Sequence, residues 1–194
     1  ISGVPINVNY RYLDDELHYL LENADVEALV FHSSLGDRVA RVCHRLPMLK
    51  AMICVDDGPA EDGSMGPASV IPYEAFLSQA SGNARTQPKG DEIYMLYTGG
   101  TTGMPKGVMY PLNDFTEFFM RGFPPMIGLP PFEDASQFEP AARQMVDANT
   151  TVVAMSGPPL MHGTGCWLGL MFPHMLGGTS VLLENRGFKP EEVW

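Results

Sequence analysis

The residues best suited to chemistry are concentrated at positions 98–107, TGGTTGMPKG. Glycines there let the backbone turn with positive φ and approach a ligand closely. Threonine hydroxyls and consecutive amides can donate hydrogen bonds to an anion, and Lys106 adds a cation suited to phosphate. The apolar run EIYMLY at 92–97 predicts a strand directly before the stretch, which would place it at the carboxyl edge of a sheet. We interpret the stretch as a phosphate-binding loop rather than a flexible surface loop.

This loop matches neither of the two common nucleotide fingerprints. A Walker loop requires Gly-Lys followed at once by Ser or Thr, whereas Lys106 stands between Pro105 and Gly107. The GxGxxG pattern of dinucleotide-binding folds is absent as well.

The elements that must position the loop begin with an alternating strand and helix pattern. Strands are predicted at 4–8, at 27–32 (EALVFH) and at 50–56 (KAMICVD). Apolar residues at helical spacing predict helices over 13–24 and 34–46, the second capped by Ser34. This order is typical of an α/β fold built from parallel-sheet βαβ layers.

Polar residues at 81–90 predict a boundary between two lobes, residues 1–85 and residues 86–194. In the second lobe, Asp114 and Glu117 predict a capping box at the start of a helix. Five prolines between 124 and 140 predict an irregular excursion, which we expect to border a ligand entrance or an oligomer contact. The remaining predicted elements are helices at 73–79, 141–147 and 166–176 and strands at 151–155 and 179–183.

Composition excludes several classes of protein. The 194 residues are 45% hydrophobic and 18% charged, which is typical of a globular chain. A net charge of -11 repels a phosphodiester backbone, so we expect no nucleic-acid partner. The longest apolar stretch, 166–176, contains Pro173 and is too short to span a bilayer, so no transmembrane segment is predicted.

Metal and disulfide chemistry are not indicated either. The three cysteines, Cys43, Cys54 and Cys166, form no CxxC pair, which is typical of a reducing compartment and favours a cytoplasmic protein. Four acidic residues lie between positions 56 and 62: Asp56, Asp57, Glu61 and Asp62. They suggest a solvated face rather than a cation site, so we predict that none of them is a metal ligand.

The stretch MLYTGGTTGMPKGV at 95–108 resembles the phosphate loop of the adenylate-forming enzymes, which include acyl-CoA synthetases, luciferases and the adenylation domains of peptide synthetases. The similarity extends over the chain, to residues 1–31, to PPLMHGTG at 158–165 and to LGGTSVLLENRGFKPEEVW at 176–194. Gly99 stands where many members have serine, which favours the acyl-CoA synthetases.

The resemblance implies a reaction in two steps, in which a carboxylic acid and MgATP give an acyl-adenylate that is passed to CoA. It implies that His162 lines the passage between the nucleotide and the acyl pocket. ATP, Mg²⁺ and CoA are the cofactors and substrates implied, and the phosphates would be held by Thr98, Gly99, Gly100, Thr101, Thr102, Gly103 and Lys106.

The resemblance also implies an internal fragment of the large N-terminal domain, truncated at both ends. The family's adenine-binding motif and its adenylation lysine would follow Trp194, so we expect no catalytic residue in this chain and no activity from it alone. Two alternatives stay open: a non-catalytic phosphate-binding or interaction module, and an adenylating enzyme that loads a carrier-protein thiol. Fatty, aromatic and sterol-side-chain acids remain open as substrates, as does a homo-oligomer.

Overall fold

The computed structural model describes residues 3–56, 69–82, 87, 89–100, 103–183 and 189–190. The chain divides into two compact units. The first unit comprises Val8–Thr86 and Gly99–Gly107, and the second comprises Ile1–Asn7, Gln87–Thr98 and Val108–Trp194. The predicted lobes, 1–85 and 86–194, stay a prediction.

The first unit contains a parallel sheet with helices between its strands. Strands β1, β2 and β3 form the sheet in that order, all parallel, with Ala28 opposite Ala51 and Met52 opposite Val70. The elements along the chain are α1 (Asp14–Asn23), β1 (Ala28–His32), α2 (Gly36–Cys43), β2 (Ala51–Val55), β3 (Val70–Pro72) and α3 (Tyr73–Ser78). The predicted βαβ layers are therefore confirmed here.

Apolar faces of α1 and α2 supply the core of the first unit. Leu20 and Val42 are fully buried, and Phe31 of β1 is buried as well. The two helices are also joined by an ion pair, in which the Arg41 guanidinium donates to both carboxylate oxygens of Asp14 at 2.7 and 3.0 Å. This hydrogen bonding lowers the pKa of the Asp14 carboxyl below its ordinary value.

The second unit contains most of the strand pair β4 and β5, a layer of helices and a second, parallel strand pair. Strands β4 (Ile93–Gly100) and β5 (Gly103–Pro111) form a two-stranded sheet. Strands β6 (Val153–Met155) and β7 (Thr179–Val181) are parallel, with Ala154 opposite Ser180. The helices are α4 (Leu112–Gly122), α5 (Phe138–Asp147), α6 (Gly163–Cys166) and α7 (Phe172–Met175). A π-helical turn at Trp167–Met171 connects α6 to α7, so the three segments form one continuous helix.

Aromatic residues dominate the core of the second unit. Phe119 is 1% exposed and stacks on Phe123 with ring centroids 4.5 Å apart. The five-proline stretch is anchored to this core, because Phe132 is buried and its amide donates to the carbonyl of Met120 at 2.8 Å. The predicted excursion is thus a packed segment with two short 3₁₀ turns, at Pro124–Ile127 and Ala135–Gln137.

Three local predictions are wrong. The predicted strand at 4–8 is reduced to one bridge between Ile6 and Met95. Ser34 lies inside a 3₁₀ turn and its amide donates to the ring of His32, so it does not cap α2. Helix α4 begins two residues before Asp114 and has no side-chain cap, because Pro111 ends β5 with a fixed φ of -53° immediately before the helix.

Two further findings concern a short strand and the search for membrane-spanning helices. Strand β3 was not predicted, since VIP is too short to show a period. Within the residues that the structure describes, no helix combines the length and the apolarity needed to cross a membrane.

Candidate functional site

The predicted phosphate loop is a strand hairpin. Thr98, Gly99 and Gly100 are the last residues of β4, and Gly103 and Lys106 belong to β5. Thr101 and Thr102 lie outside the described residues. Because only these two residues separate neighbouring strands, the pairing is antiparallel.

Two glycines of the hairpin, Gly99 and Gly103, have open space beside the backbone. Neither Gly99 nor Gly103 has a positive φ, so the predicted left-handed turn at these two positions is wrong. A Cβ at either position would meet no heavy atom within 4 Å. Open space beside bare backbone is what a phosphate needs to reach the amides.

Lys106 presents an uncommitted cation on the hairpin. Its side chain is exposed, whereas the preceding Pro105 is buried and fixes the strand. In the part of the chain that the structure describes, no carboxylate forms an ion pair with Lys106, although Lys50 is paired with Glu27 at 2.8 Å. The ammonium group is therefore available to a ligand.

An aromatic cluster positions β4. Tyr94 is buried, stacks on Phe115 at 4.7 Å and accepts a hydrogen bond from Trp167 Nε1 at 3.3 Å. Burial raises the pKa of the Tyr94 phenol, so it stays neutral at physiological pH. Strand β4 is thus held against α4 and against the helix that follows His162.

His162 lies at the start of that helix. It is the residue before α6 and has extended backbone, with φ -93° and ψ 144°. Its amide donates to the carbonyl of Pro159 at 3.0 Å, and its carbonyl accepts from the amide of Cys166 at 2.9 Å. The side chain itself is exposed.

The structure brings the His162 turn against β4. A Cβ on Gly163 would lie 2.9 Å from Leu96 Cδ2, so the turn and the strand touch. Thr98 lies two residues beyond Leu96 and therefore on the same face of the strand. Thr98 and His162 both belong to the second unit, while Gly99, Gly103 and Lys106 belong to the first.

Two residues that hold this turn were missed from the sequence. Asn7 Nδ2 donates to the carbonyl of Leu160 at 3.2 Å, next to the bridge between Ile6 and Met95. The hydroxyl of Ser156 donates to the carbonyl of Pro158 at 2.5 Å. A signal was present for the second contact, because Gly165 and Gly169 interrupt an otherwise apolar helix at a spacing that permits close packing.

The acidic stretch gives no metal site among the residues described. Asp56 accepts a hydrogen bond from the Ser33 hydroxyl at 3.1 Å, and Asp57, Glu61 and Asp62 lie outside the described residues. No group of three or more His, Cys, Asp or Glu side chains in the described part could hold a metal ion.

A family model described as AMP-binding enzyme matches residues 1–194. The chain belongs to the AMP-binding enzyme family. The resemblance of the chain to the adenylate-forming enzymes is therefore confirmed, and the assignment of the hairpin as a phosphate loop stays a prediction.

Curated relatives in this family have specific names. A medium/long-chain-fatty-acid–CoA/3-oxocholest-4-en-26-oate–CoA ligase of Mycolicibacterium smegmatis is 36% identical over 197 residues, covering 100% of this chain and 33% of that protein. A 3-oxocholest-4-en-26-oate–CoA ligase of Rhodococcus rhodochrous is 35% identical over 195 residues, with the same coverage of both. The chain spans about a third of the length of these relatives.

Solved structures share the fold. The acyl-CoA synthetase of Brucella canis superposes with a TM-score of 0.66 at 17% identity, covering 98% of this chain and 30% of that one. The predicted class, parallel-sheet βαβ layers of an adenylate-forming enzyme, is confirmed.

Proposed function

We propose that this chain is part of an ATP-dependent acyl-CoA synthetase, which converts a carboxylic acid to its acyl-adenylate and then to its CoA thioester. The observation that carries the proposal is the exposed, glycine-lined hairpin with Lys106, which has no ion-pair partner among the described residues, in a chain that matches the family over its whole length. The names of the curated relatives support CoA as the acceptor.

In the first step, a carboxylate oxygen attacks the α-phosphorus of ATP. The bond from that phosphorus to the oxygen bridging to the β-phosphate breaks, and pyrophosphate leaves with the electron pair. In the second step, the sulfur of CoA attacks the acyl carbon, and AMP leaves with the attacking oxygen of the first step. Negative charge grows on pyrophosphate in the first transition state, so placed donors and a cation accelerate that step most.

The hairpin residues suit that demand. We assign phosphate binding to the hydroxyls of Thr98, Thr101 and Thr102, to backbone amides of Gly99, Gly100 and Gly103, and to the Lys106 ammonium. The open space beside Gly99 and Gly103 supports contact of phosphate oxygens with the backbone. Since the chain has a net charge of -11, a cation with no paired carboxylate is the element that makes local phosphate binding favourable.

His162 is assigned to the acid side of the site. Its exposed side chain and its place on a turn that touches β4 support this assignment. The relatives' names point to hydrophobic acids, and we propose a fatty acid or a sterol-side-chain acid as the substrate class.

The remaining expectations concern Mg²⁺, the cellular location, a homo-oligomer and the 124–140 segment. The described hairpin residues present no carboxylate, so by themselves they do not fit a Mg²⁺ site, and no step is derived through the metal. A cytoplasmic location is proposed from the three widely separated cysteines. A homo-oligomer and the role of the 124–140 segment as a border of the acyl entrance stay predictions.

Acid-dependent exchange of labelled pyrophosphate into ATP tests this function in the full-length protein that contains the chain. The expected result is exchange that requires one class among fatty, sterol-side-chain and aromatic acids. Lys106→Ala is expected to reduce exchange about 10- to 100-fold, because a charge-assisted hydrogen bond to phosphate contributes about 1.5–3 kcal/mol. Lys50→Ala is the matched control, since Lys50 is also exposed but is paired with Glu27. Absence of exchange with every acid would favour the non-catalytic module.

A further inference from the structure

The helix that begins after His162 packs tightly against the residues that follow β6. We call this contact the seam; it consists of Gly165 and Gly169 on the helix and of Ser156 and Pro158 after the strand. Gly169 lies in the π-helical turn, and a Cβ there would lie 2.5 Å from Ser156 Cβ and 2.8 Å from Ser156 Oγ. A Cβ on Gly165 would lie 2.6 Å from the carbonyl oxygen of Pro158. No side chain larger than hydrogen fits at either glycine without movement of backbone.

Ser156 links both sides of this seam. Its hydroxyl donates to the carbonyl of Pro158 at 2.5 Å, and the carbonyl of Gly165 lies 3.4 Å from the same oxygen. A hydroxyl has one proton, so it donates to one of these carbonyls at a time, and the shorter distance favours the bond to Pro158, which holds the turn. The π-helical turn inserts an extra residue, which brings Gly169 to face Ser156; such turns are frequent at functional sites.

The seam is connected to His162 through the backbone. The amide of His162 bonds to Pro159, on the turn that Ser156 holds, and its carbonyl bonds to Cys166, on the helix that Gly165 and Gly169 hold. A displacement of the seam would therefore displace His162 from both sides.

We propose that Ser156 is a positioning residue for His162 and, through it, for the carboxylic acid. This inference rests on the proposed function, in which His162 lines the acid side. It assigns to Ser156 an effect on the acid rather than on ATP, because the contacts of the seam lead to the His162 turn.

Kinetics of adenylation in the full-length protein test the assignment. Ser156→Ala is expected to raise the KM for the acid about tenfold, since the hydrogen bond from its hydroxyl to the Pro158 carbonyl is lost, and to leave the KM for ATP within about twofold. In a His162→Ala background the same change is expected to have no further effect on the KM for the acid, because both act through one group.

A compensating pair separates positioning from general damage. Gly169→Ala is expected to raise the KM for the acid more than Ser156→Ala, and the added change Ser156→Gly, which removes the clashing Cβ together with the hydroxyl, is expected to lower the KM to about the value of Ser156→Ala and no further. Gly157→Ala is the matched control, because a Cβ there meets no heavy atom within 4 Å.

Hydrogen exchange gives a readout that does not depend on activity. Peptides that cover residues 157–167 are expected to exchange about tenfold faster in Ser156→Ala and in Gly169→Ala than in the wild type or in Gly157→Ala. Equal rises in the KM for acid and ATP, additivity with His162→Ala, or unchanged exchange would overturn the assignment. If the wild-type protein adenylates no acid, the proposed function fails, and the exchange result alone decides whether Ser156 holds the His162 turn.

Discussion

A mutation at Gly163 tests the contact between the His162 turn and β4. A Cβ there would lie 2.9 Å from Leu96 Cδ2 and 3.3 Å from Trp167 Cζ2. Favourable carbon contacts begin at about 3.5 Å, and Leu96 is only 5% exposed, so it has little room to move. Gly163→Ala must therefore displace the buried Leu96 side chain or push the His162 turn away from β4.

Two opposing effects determine how much Gly163→Ala is expected to change the free energy of unfolding. Replacing a helical glycine by alanine stabilises a protein by about 0.5–1 kcal/mol when the space is free. Overpacking of a dense contact costs about 1–3 kcal/mol, so we expect Gly163→Ala to lower the free energy of unfolding by about 1–2 kcal/mol. Leu96→Val costs about 1 kcal/mol alone, but it shortens the side chain at the clash.

Urea unfolding of the full-length protein measures these terms. The double variant, Gly163→Ala with Leu96→Val, is expected to be more stable than the sum of the single effects by about 1–2 kcal/mol. Gly122→Ala is the control, because a Cβ there makes an ordinary contact of 3.9 Å with Phe118 and is expected to be neutral or stabilising. Strict additivity, or a Gly163→Ala variant as stable as the wild type, would refute the contact between the turn and the strand.

Two further predictions concern stability. The pKa of Asp14 is lowered in the folded state by the Arg41 guanidinium, so this pair stabilises the fold above the ordinary aspartate pKa of about 3.9 and the contribution is lost as pH falls through the folded value. Arg41→Ala is therefore expected to lower the melting temperature at pH 7 and to reduce the difference between the melting temperatures at pH 7 and pH 2. Arg143→Ala is the control, and an equal difference in melting temperature between the two pH values in both variants would contradict this. Phe119→Ala is expected to cost about 3–5 kcal/mol in urea unfolding, because the ring is fully buried. Phe118→Ala, which removes a ring that is 50% exposed, is expected to cost much less, and equal losses would contradict the described core.

Much of the fold could be predicted because its signals are local. Leucines at helical spacing identify α1, and the apolar run ALVFH identifies β1 without any knowledge of their neighbours. The stop at Gly177 was predictable as well, and this residue has the positive φ of 66° that favours glycine.

The failures have physical causes outside the local pattern. Residues 4–8 alternate like a strand, yet Pro5 cannot donate to a ladder and only Ile6 is bridged. Asp114 and Glu117 have the spacing of a capping box, but Pro111 fixes the helix start two residues earlier. Neither outcome could be foreseen from the pattern alone, because each depends on the strand that precedes or accompanies the segment.

The motif of the candidate site could be predicted from the sequence, but not all of the residues that hold the site in place could be. The residue types in TGGTTGMPKG predict a phosphate-binding stretch, which stays a prediction, and a loop was expected where the structure has a hairpin. Asn7 carries no motif, and its role depends on a contact with Leu160, which is distant in sequence. Only the three-dimensional arrangement shows that it holds the turn of His162.

The most direct test of the central claim is the fate of the oxygen atom that joins the acid to the nucleotide. The full-length protein would be incubated with ATP, CoA and a hydrophobic carboxylic acid labelled with ¹⁸O in its carboxylate, and the nucleotide product analysed by mass spectrometry. Attack of the carboxylate on the α-phosphorus predicts AMP that contains one ¹⁸O atom, together with the acyl-CoA thioester. Unlabelled AMP, or ADP in place of AMP, would contradict the proposed reaction.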